Sequence, residues 1–153
     1  MSTGDAGHPG PILFAYDGSE LAANAIAEAG RQLRPGREAL VLTVWESFNV
    51  GFLPAGGVAF DAAGADEVKA AAGETAAHGA ALAEAAGFRA TGVTAEGAPT
   101  SKGIIDAAER HDASLIVLGS HGRSGVASLM VGSVAGAVAA HSRRSVLIVH
   151  RHG

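Results

Sequence analysis

The chain has 153 residues, enough for one domain with a real core and too few for two comfortable ones. Nearly half of it is apolar (48%) but only 5% is aromatic, so the core must be built from Ala, Val, Leu and Ile, as suits helices packed on a sheet. A formal charge of -4, with 11 Lys and Arg that form no long stripe, argues against extended nucleic-acid binding, and the absence of Cys removes disulfides, thiolate catalysis and Cys-based metal sites.

The first ten residues, MSTGDAGHPG, are polar and rich in Gly and Pro, with neither a basic nor an apolar signal-peptide region. Residues 1–10 are therefore expected to be a disordered leader and residues 11–153 a single domain, compatible with the cytoplasm. PILFAY (11–16) is a short apolar run bounded by turn residues, the pattern of a strand buried on both faces. Ser19 then stands as a natural N-cap. Leu21, Ala22, Ala25, Ile26, Ala29 and Leu33 form a helical stripe that Pro35-Gly36 ends. EALVLTVW (38–45) reads as a second buried strand.

Phe48 to Gly64 is a Gly/Ala-rich connection, long for a structureless loop, which suggests mobility or a lid. A helix is expected from Ala65 to Ala86, with Val68, Ala72, Thr75, Gly79, Leu82 and Ala86 along one side and Gly87 closing it. RATGVTAEG has one large apolar residue, Val93, and is placed toward a sheet edge. Pro99 opens the next helix at an N1-like position, with Ile104, Ile105 and Ala108 inward. ASLIVLG (113–119) is the fourth strand, a helix runs to about His141, and SVLIVH (145–150) is the last strand. The weakly polar stretch Val126 to Ala140 is broken by Ser and Gly and falls short of the ~20 residues a membrane span needs.

Strands alternating with helices predict an open, mostly parallel α/β sheet covered on both faces. Such sheets bind ligands beyond the carboxyl ends of their strands, where the strand order reverses. The first and fourth strands end at Asp17-Gly18 and at the stretch LGSHGRSGVASLMVGSV, so both features fall on that rim.

Within that stretch the spacing is G-x-x-G from Gly119 to Gly122, nine residues, then Gly132-Ser133. Glycine lets backbone N–H groups approach an oxygen without a Cβ in the way. A helix start adds unpaired N–H donors and the positive end of the helix dipole. Together these describe a pocket for phosphates; the alternative is a flexible loop. It is not a Walker A loop, because Val131 precedes Gly132 and the lysines are Lys69 and Lys102. It is not the Rossmann fingerprint, since G-x-G-x-x-G is absent. A cradle without lysine argues against fast phosphoryl transfer.

His121 between loop residues reads as a hydrogen-bonding loop side chain. The histidines show no metal spacing, so no protein metal site is expected. Ser19 has no evident His partner for a hydrolase triad, and no catalytic residue is assigned. Asp17 could be a turn residue or a site residue. Substituting Gly119 or Gly132 by Ala is expected to press a methyl against the phosphates.

The glycine stretch resembles the ATP-binding signature of the universal stress protein family. Asp17-Gly18-Ser19 after an early strand, Thr43-Val44 ending the second and Val146-Leu147-Ile148-Val149 in the last also match, so the similarity covers about Pro11 to His150. It implies a Rossmann-like, five-stranded parallel sheet of the adenine nucleotide alpha hydrolase type, and a cytoplasmic homodimer joined partly through the last strand, Ser145 to His150. It also implies ATP, with Mg²⁺ carried by the phosphates near Asp17. Carried over by position, Asp17 would sit by the ribose and phosphates and Val44 by the adenine, with Ala15 also among the ATP-binding residues. Gly119, Gly122, Gly132 and Ser133 would cradle the triphosphate, lined by Leu118, Ser120, Arg123 and Val134. Ser145 departs from the family, which often has Pro before the last strand. The function implied is a nucleotide-dependent regulator in a stress response, with an unidentified protein partner. A slow ATPase or nucleotidyl-transfer enzyme, or an interaction protein with an empty pocket, are the alternatives.

Overall fold

Branched and apolar side chains on consecutive residues favour strands whose two faces are both covered. The chain builds such strands at β1 (Ile12–Ala15), β2 (Glu38–Trp45), β3 (Arg89–Glu96), β4 (Leu115–Gly119) and β5 (Ser145–Val149), as a computed structural model describes for residues 9–46, 62–121 and 131–151. Between them run α1 (Glu20–Gln32), α2 (Ala62–Ala85), α3 (Thr100–Arg110) and α4 (Ser133–His141). All strand pairs are parallel, in the order β3-β2-β1-β4-β5. The order reverses beside β1, which pairs with β2 on one side and β4 on the other.

Alternation along the strands divides the core into two layers. Ile12, Phe14, Tyr16, Val41 and Val117 face α1 and α2, together with Ala25, Ile26, Ala29 and Ala83. Leu13, Leu40, Leu42, Ile116 and Leu118 face the other way, onto Ile104, Ala107 and Ala108 of α3 and Ala135 and Val138 of α4. Helices thus cover both faces, as the alternation of elements predicts.

Ser19 caps α1 as expected, its Oγ accepting from Ala22 N–H at 3.1 Å. Gly36 and Gly87, which end α1's loop and α2, adopt φ of +82° and +106°, where a side chain would be strained. The α2 helix starts three residues before the expected Ala65, and its buried face is turned relative to the expected stripe. Ala72, Ala76, Gly79 and Ala83 are buried, whereas Val68, Thr75, Leu82 and Ala86 are half-buried. Close approach explains the rotation: a Cβ on Gly79 would lie 2.6 Å from Tyr16 Cδ2 and from Val41 Cγ1. A Cβ on Gly92 of β3 would lie 2.9 Å from the backbone of Ala76. Small residues therefore meet the sheet and larger ones flank them.

Pro99 is the cap of α3 rather than its first helical residue, and follows a cis bond from Ala98. Ile105 is half-buried beside the fully buried Ile104. β3 and β5 lie at the two edges, where the sequence places them. Most of the long connection, Gly122, Arg123 and the first eight residues fall outside the described residues. Among the described residues, no helix is long and apolar enough to cross a membrane.

Candidate functional site

Beyond β1 the chain turns through Tyr16, Asp17 and Gly18. Asp17 Oδ1 accepts from Ser19 N–H at 2.9 Å, and Gly18 takes φ of +85°. Thr43, buried near the end of β2, donates its hydroxyl to Tyr16 O at 2.8 Å and ties the two strand ends together. At the end of β4, Ser120 N–H donates to Val149 O (2.9 Å), and Ser120 O accepts from Gly132 N–H (2.7 Å). That last bond brings the start of α4 onto the carboxyl end of β4, beside β1.

Gly132 is the N-cap of α4 and supplies no side chain, and Gly136 N–H donates to Gly132 O at 2.8 Å in the first turn. The N–H groups of Ser133, Val134 and Ala135 therefore have no partner within the helix, and no described side chain caps them. They lie on a cleft of about 490 Å³ lined by Gly132, Ser133, Val134, Asp17, Val44 and Ser120, a size usual for small-molecule sites. A smaller, mostly apolar recess of about 70 Å³ adjoins it through Asp17, Val44, Thr100 and His121. Ala15, Leu42, Ile104 and Gly119 wall that recess. Val134 is 38% exposed although apolar, one of two large apolar side chains so exposed among the described residues.

The structure thus brings Ala15, Asp17, Val44, Gly119, Ser120, Gly132, Ser133 and Val134 to one rim. Leu118 is an exception: it is buried in the layer beneath and lines neither cavity. At both glycines an added methyl would also meet the protein's own backbone. A Cβ on Gly132 would meet Ser120 O at 2.7 Å, and one on Gly119 would meet Leu21 O at 3.1 Å. Gly132 is required first by the protein's own backbone and Gly119 is crowded by it, so their replacement tests the rim's architecture as well as a ligand.

Several wall residues carry no sequence signal of their own. Val68, Ala71, Ala72 and Thr75 of α2 line the larger cleft, because α2 starts at the carboxyl ends of the strands and overhangs them. Thr43, Trp45, Glu46 and Thr100 complete it, with Thr100 Oγ1 donating to Glu46 Oε1 at 3.3 Å. Only their positions at strand and helix ends could have marked them. Tyr16 borders the recess, and its phenol is pushed up from its ordinary pKa by burial and then by the Asp17 carboxylate, so it stays protonated. The cleft is polarised. Two carboxylates, Asp17 and Glu46, stand at the β1–β2 end, and the α4 end presents helix N–H groups that no described side chain caps. Among the described residues there is no cluster of ligating side chains fit for a metal ion.

The sequence pattern of one protein family, described as the universal stress protein family, matches residues 9–150. The chain belongs to that family. No curated protein sequence matches this universal stress protein. Solved structures do. The hypothetical protein MJ0577, whose biochemical function was assigned from its structure, is 23% identical with a TM-score of 0.78, over 95% of this chain and 98% of its own. A universal stress protein in complex with cAMP is 23% identical, TM-score 0.66, over 94% and 98%. The universal stress protein from Archaeoglobus fulgidus in complex with dAMP is 22% identical, TM-score 0.60, over 90% and 95%. At these identities the likeness is one of fold.

Proposed function

We propose that this universal stress protein binds ATP in the cleft at the carboxyl ends of β1 and β4 and acts as a nucleotide-dependent regulator in a cytoplasmic stress response. The observation that carries this reading is the start of α4, which no described side chain caps and whose first residues line a cleft at the point where strand order reverses. Two similar structures hold adenine nucleotides, cAMP and dAMP, which supports the same ligand class here. The polarity of the cleft orients the ligand. Phosphates go to Gly132, Ser133 and Val134, while the ribose hydroxyls face Asp17 and the base faces the apolar wall of Ala15, Leu42, Val44 and Ile104.

The described residues offer the phosphates backbone dipoles and hydroxyls rather than lysine or arginine. A bare triphosphate would also be repelled by Asp17 and Glu46. Mg²⁺ carried on the phosphates fits this charge pattern, because it lowers the charge the carboxylates meet. ATP is accordingly expected to bind more weakly in excess EDTA. Without a lysine at the cradle the residues suit holding ATP rather than cleaving it quickly.

Isothermal titration of the full chain with ATP and Mg²⁺ tests the reading: saturable binding at one site per chain is expected. No binding at millimolar nucleotide would overturn it. Homodimerisation is proposed through β5, an edge strand whose Val146, Leu147 and Ile148 are only half-buried in the single chain. Sedimentation should then give twice the chain mass at micromolar protein; a monomer would remove that part of the proposal.

A further inference from the structure

His121 stands where the two cavities meet and lines both of them. It follows directly on Ser120, whose backbone N–H is bonded to Val149 O, so it is held at the end of β4. The ring is confined on two sides. Its Nδ1 lies 3.2 Å from Ser120 Oγ. Its Cδ2 would lie 3.3 Å from a Cβ on Gly132, so the edge carrying Cδ2 and Nε2 abuts the cap of α4. No described side chain hydrogen-bonds Nε2.

The Ser120 hydroxyl can serve either charge state of the ring. It donates to Nδ1 of a neutral imidazole and accepts from Nδ1–H of an imidazolium. In the imidazolium, and in the neutral tautomer that accepts at Nδ1, Nε2 carries a hydrogen on the ring edge that lies beside the start of α4. Resting on the nucleotide reading above, we infer that His121 is a phosphate-contact residue whose protonation is coupled to nucleotide binding. The cleft then gains a full positive charge only when an anion arrives to match it.

Among the described residues, β1 and β2 turn Tyr16, Asp17 and Glu46 toward the cavities. The α2 wall contributes Val68, Ala71, Ala72 and Thr75, α3 contributes Thr100 and Ile104, and α4 contributes Gly132 to Ala135. Carboxyl groups and phenols ordinarily titrate outside pH 6–8, and imidazole within it. Binding that prefers the protonated ring must take up protons, and must strengthen as pH falls through this range relative to a protein without the ring.

The test compares ATP affinity in the presence of Mg²⁺ at pH 8 and pH 6 for the wild-type chain, His121→Gln and His121→Ala, with folding checked by urea denaturation. A terminal phosphate itself titrates near pH 6, so the observable is the difference between wild type and H121Q. On going to pH 6 the wild type should gain roughly five- to tenfold over H121Q, as a charge-assisted hydrogen bond exceeds a neutral one. Titration in buffers of different ionisation enthalpy should show more proton uptake by the wild type than by H121Q. H121Q, which keeps an N–H donor, should bind better than H121A at pH 8. Equal pH slopes and equal proton uptake in wild type and H121Q would overturn this inference and leave the nucleotide reading standing. Failure of the wild type to bind ATP at either pH would overturn both.

Discussion

The amino-end rim of the sheet is held by arginine side chains, and the carboxyl-end rim is built from backbone donors and hydroxyls. At the amino end, Arg144 pairs with Glu109 and Asp112 (both 2.8 Å) and donates to Ala113 O, joining the end of α3 to the starts of β4 and β5. Arg37 donates to Gly10 O (3.1 Å) and Ser114 Oγ (2.8 Å). Arg89 donates to Gly36 O at 2.9 Å. At the carboxyl end the described wall has no such cation, and no described side chain caps the start of α4. Helix-to-strand connections are tied by arginines on one rim, whereas on the other the strand-to-helix entry into α4 has no side-chain tie among the described residues. Carbonyls at the amino end accept from arginines, whereas at the carboxyl end Ser19 caps α1 but the first N–H groups of α4 have no side-chain partner among the described residues. The comparison teaches that unspent hydrogen-bonding capacity, more than charge, marks the candidate site.

The largest effect that could break this contrast is expected from Gly132→Val. Its side chain cannot fit beside Ser120 O, so the bond from Gly132 N–H to Ser120 O should be disrupted and α4 displaced from β4. ATP affinity should fall more than tenfold, with a stability loss of roughly 1–3 kcal/mol for the overpacking. Calorimetric titration and urea denaturation read the two quantities. Near-normal binding would show that the α4 start does not form the cradle.

Val134→Glu sharpens the contrast without disturbing the core, because Val134 is 38% exposed. A carboxylate in the first turn should stabilise α4 by about 0.3–1 kcal/mol while competing with phosphate for the same N–H groups. Thermal stability should rise and ATP affinity should fall roughly tenfold. A change of both in the same direction would contradict the account.

Arg144→Ala is expected to have the smallest effect and to touch only the amino-end rim. Stability should fall slightly and ATP affinity should be unchanged. The Arg144 guanidinium, chiefly through its hydrogen bond, holds the Glu109 carboxyl below its usual range. A carboxyl lowered on folding stabilises the folded chain above its unfolded pKa, and loses that contribution as pH falls through the folded one. The stability gap between wild type and R144A should therefore be steady near pH 6–7 and shrink below about pH 4. A gap that widened on acidification would reverse the sign and refute the pairing.

Much of the fold is legible in the sequence because its strands are covered on both faces. EALVLTVW predicts β2 (Glu38–Trp45) to the residue, and the alternation of strands and helices predicts the parallel sheet. The face of α2 is less legible, since an Ala-rich helix has no apolar stripe sharp enough to choose among small residues. Gly79 and Ala76 go inward because Tyr16, Val41 and Gly92 require a close approach that only the folded sheet defines. For the site, the spacing of Gly119 and Gly132-Ser133 and the position of Asp17 point to the rim they occupy. The reason for those glycines is not legible, because Ser120 O and Leu21 O approach them from other segments. Thr100 and the α2 wall are likewise products of strand order. His121 stands in the sequence as a loop histidine, and its bond to Ser120 agrees with that reading. Its place between two cavities is a fact of the fold.

The most direct test of the central claim is amide NMR of the labelled full chain during titration with ATP and Mg²⁺. The amides of Ser133, Val134 and Ala135 should shift strongly and saturably, with those of Asp17 and Ser120, while Arg37, Arg89 and Arg144 at the opposite rim stay in place. Unmoved amides at the start of α4, or larger shifts at the amino-end rim, would contradict the account.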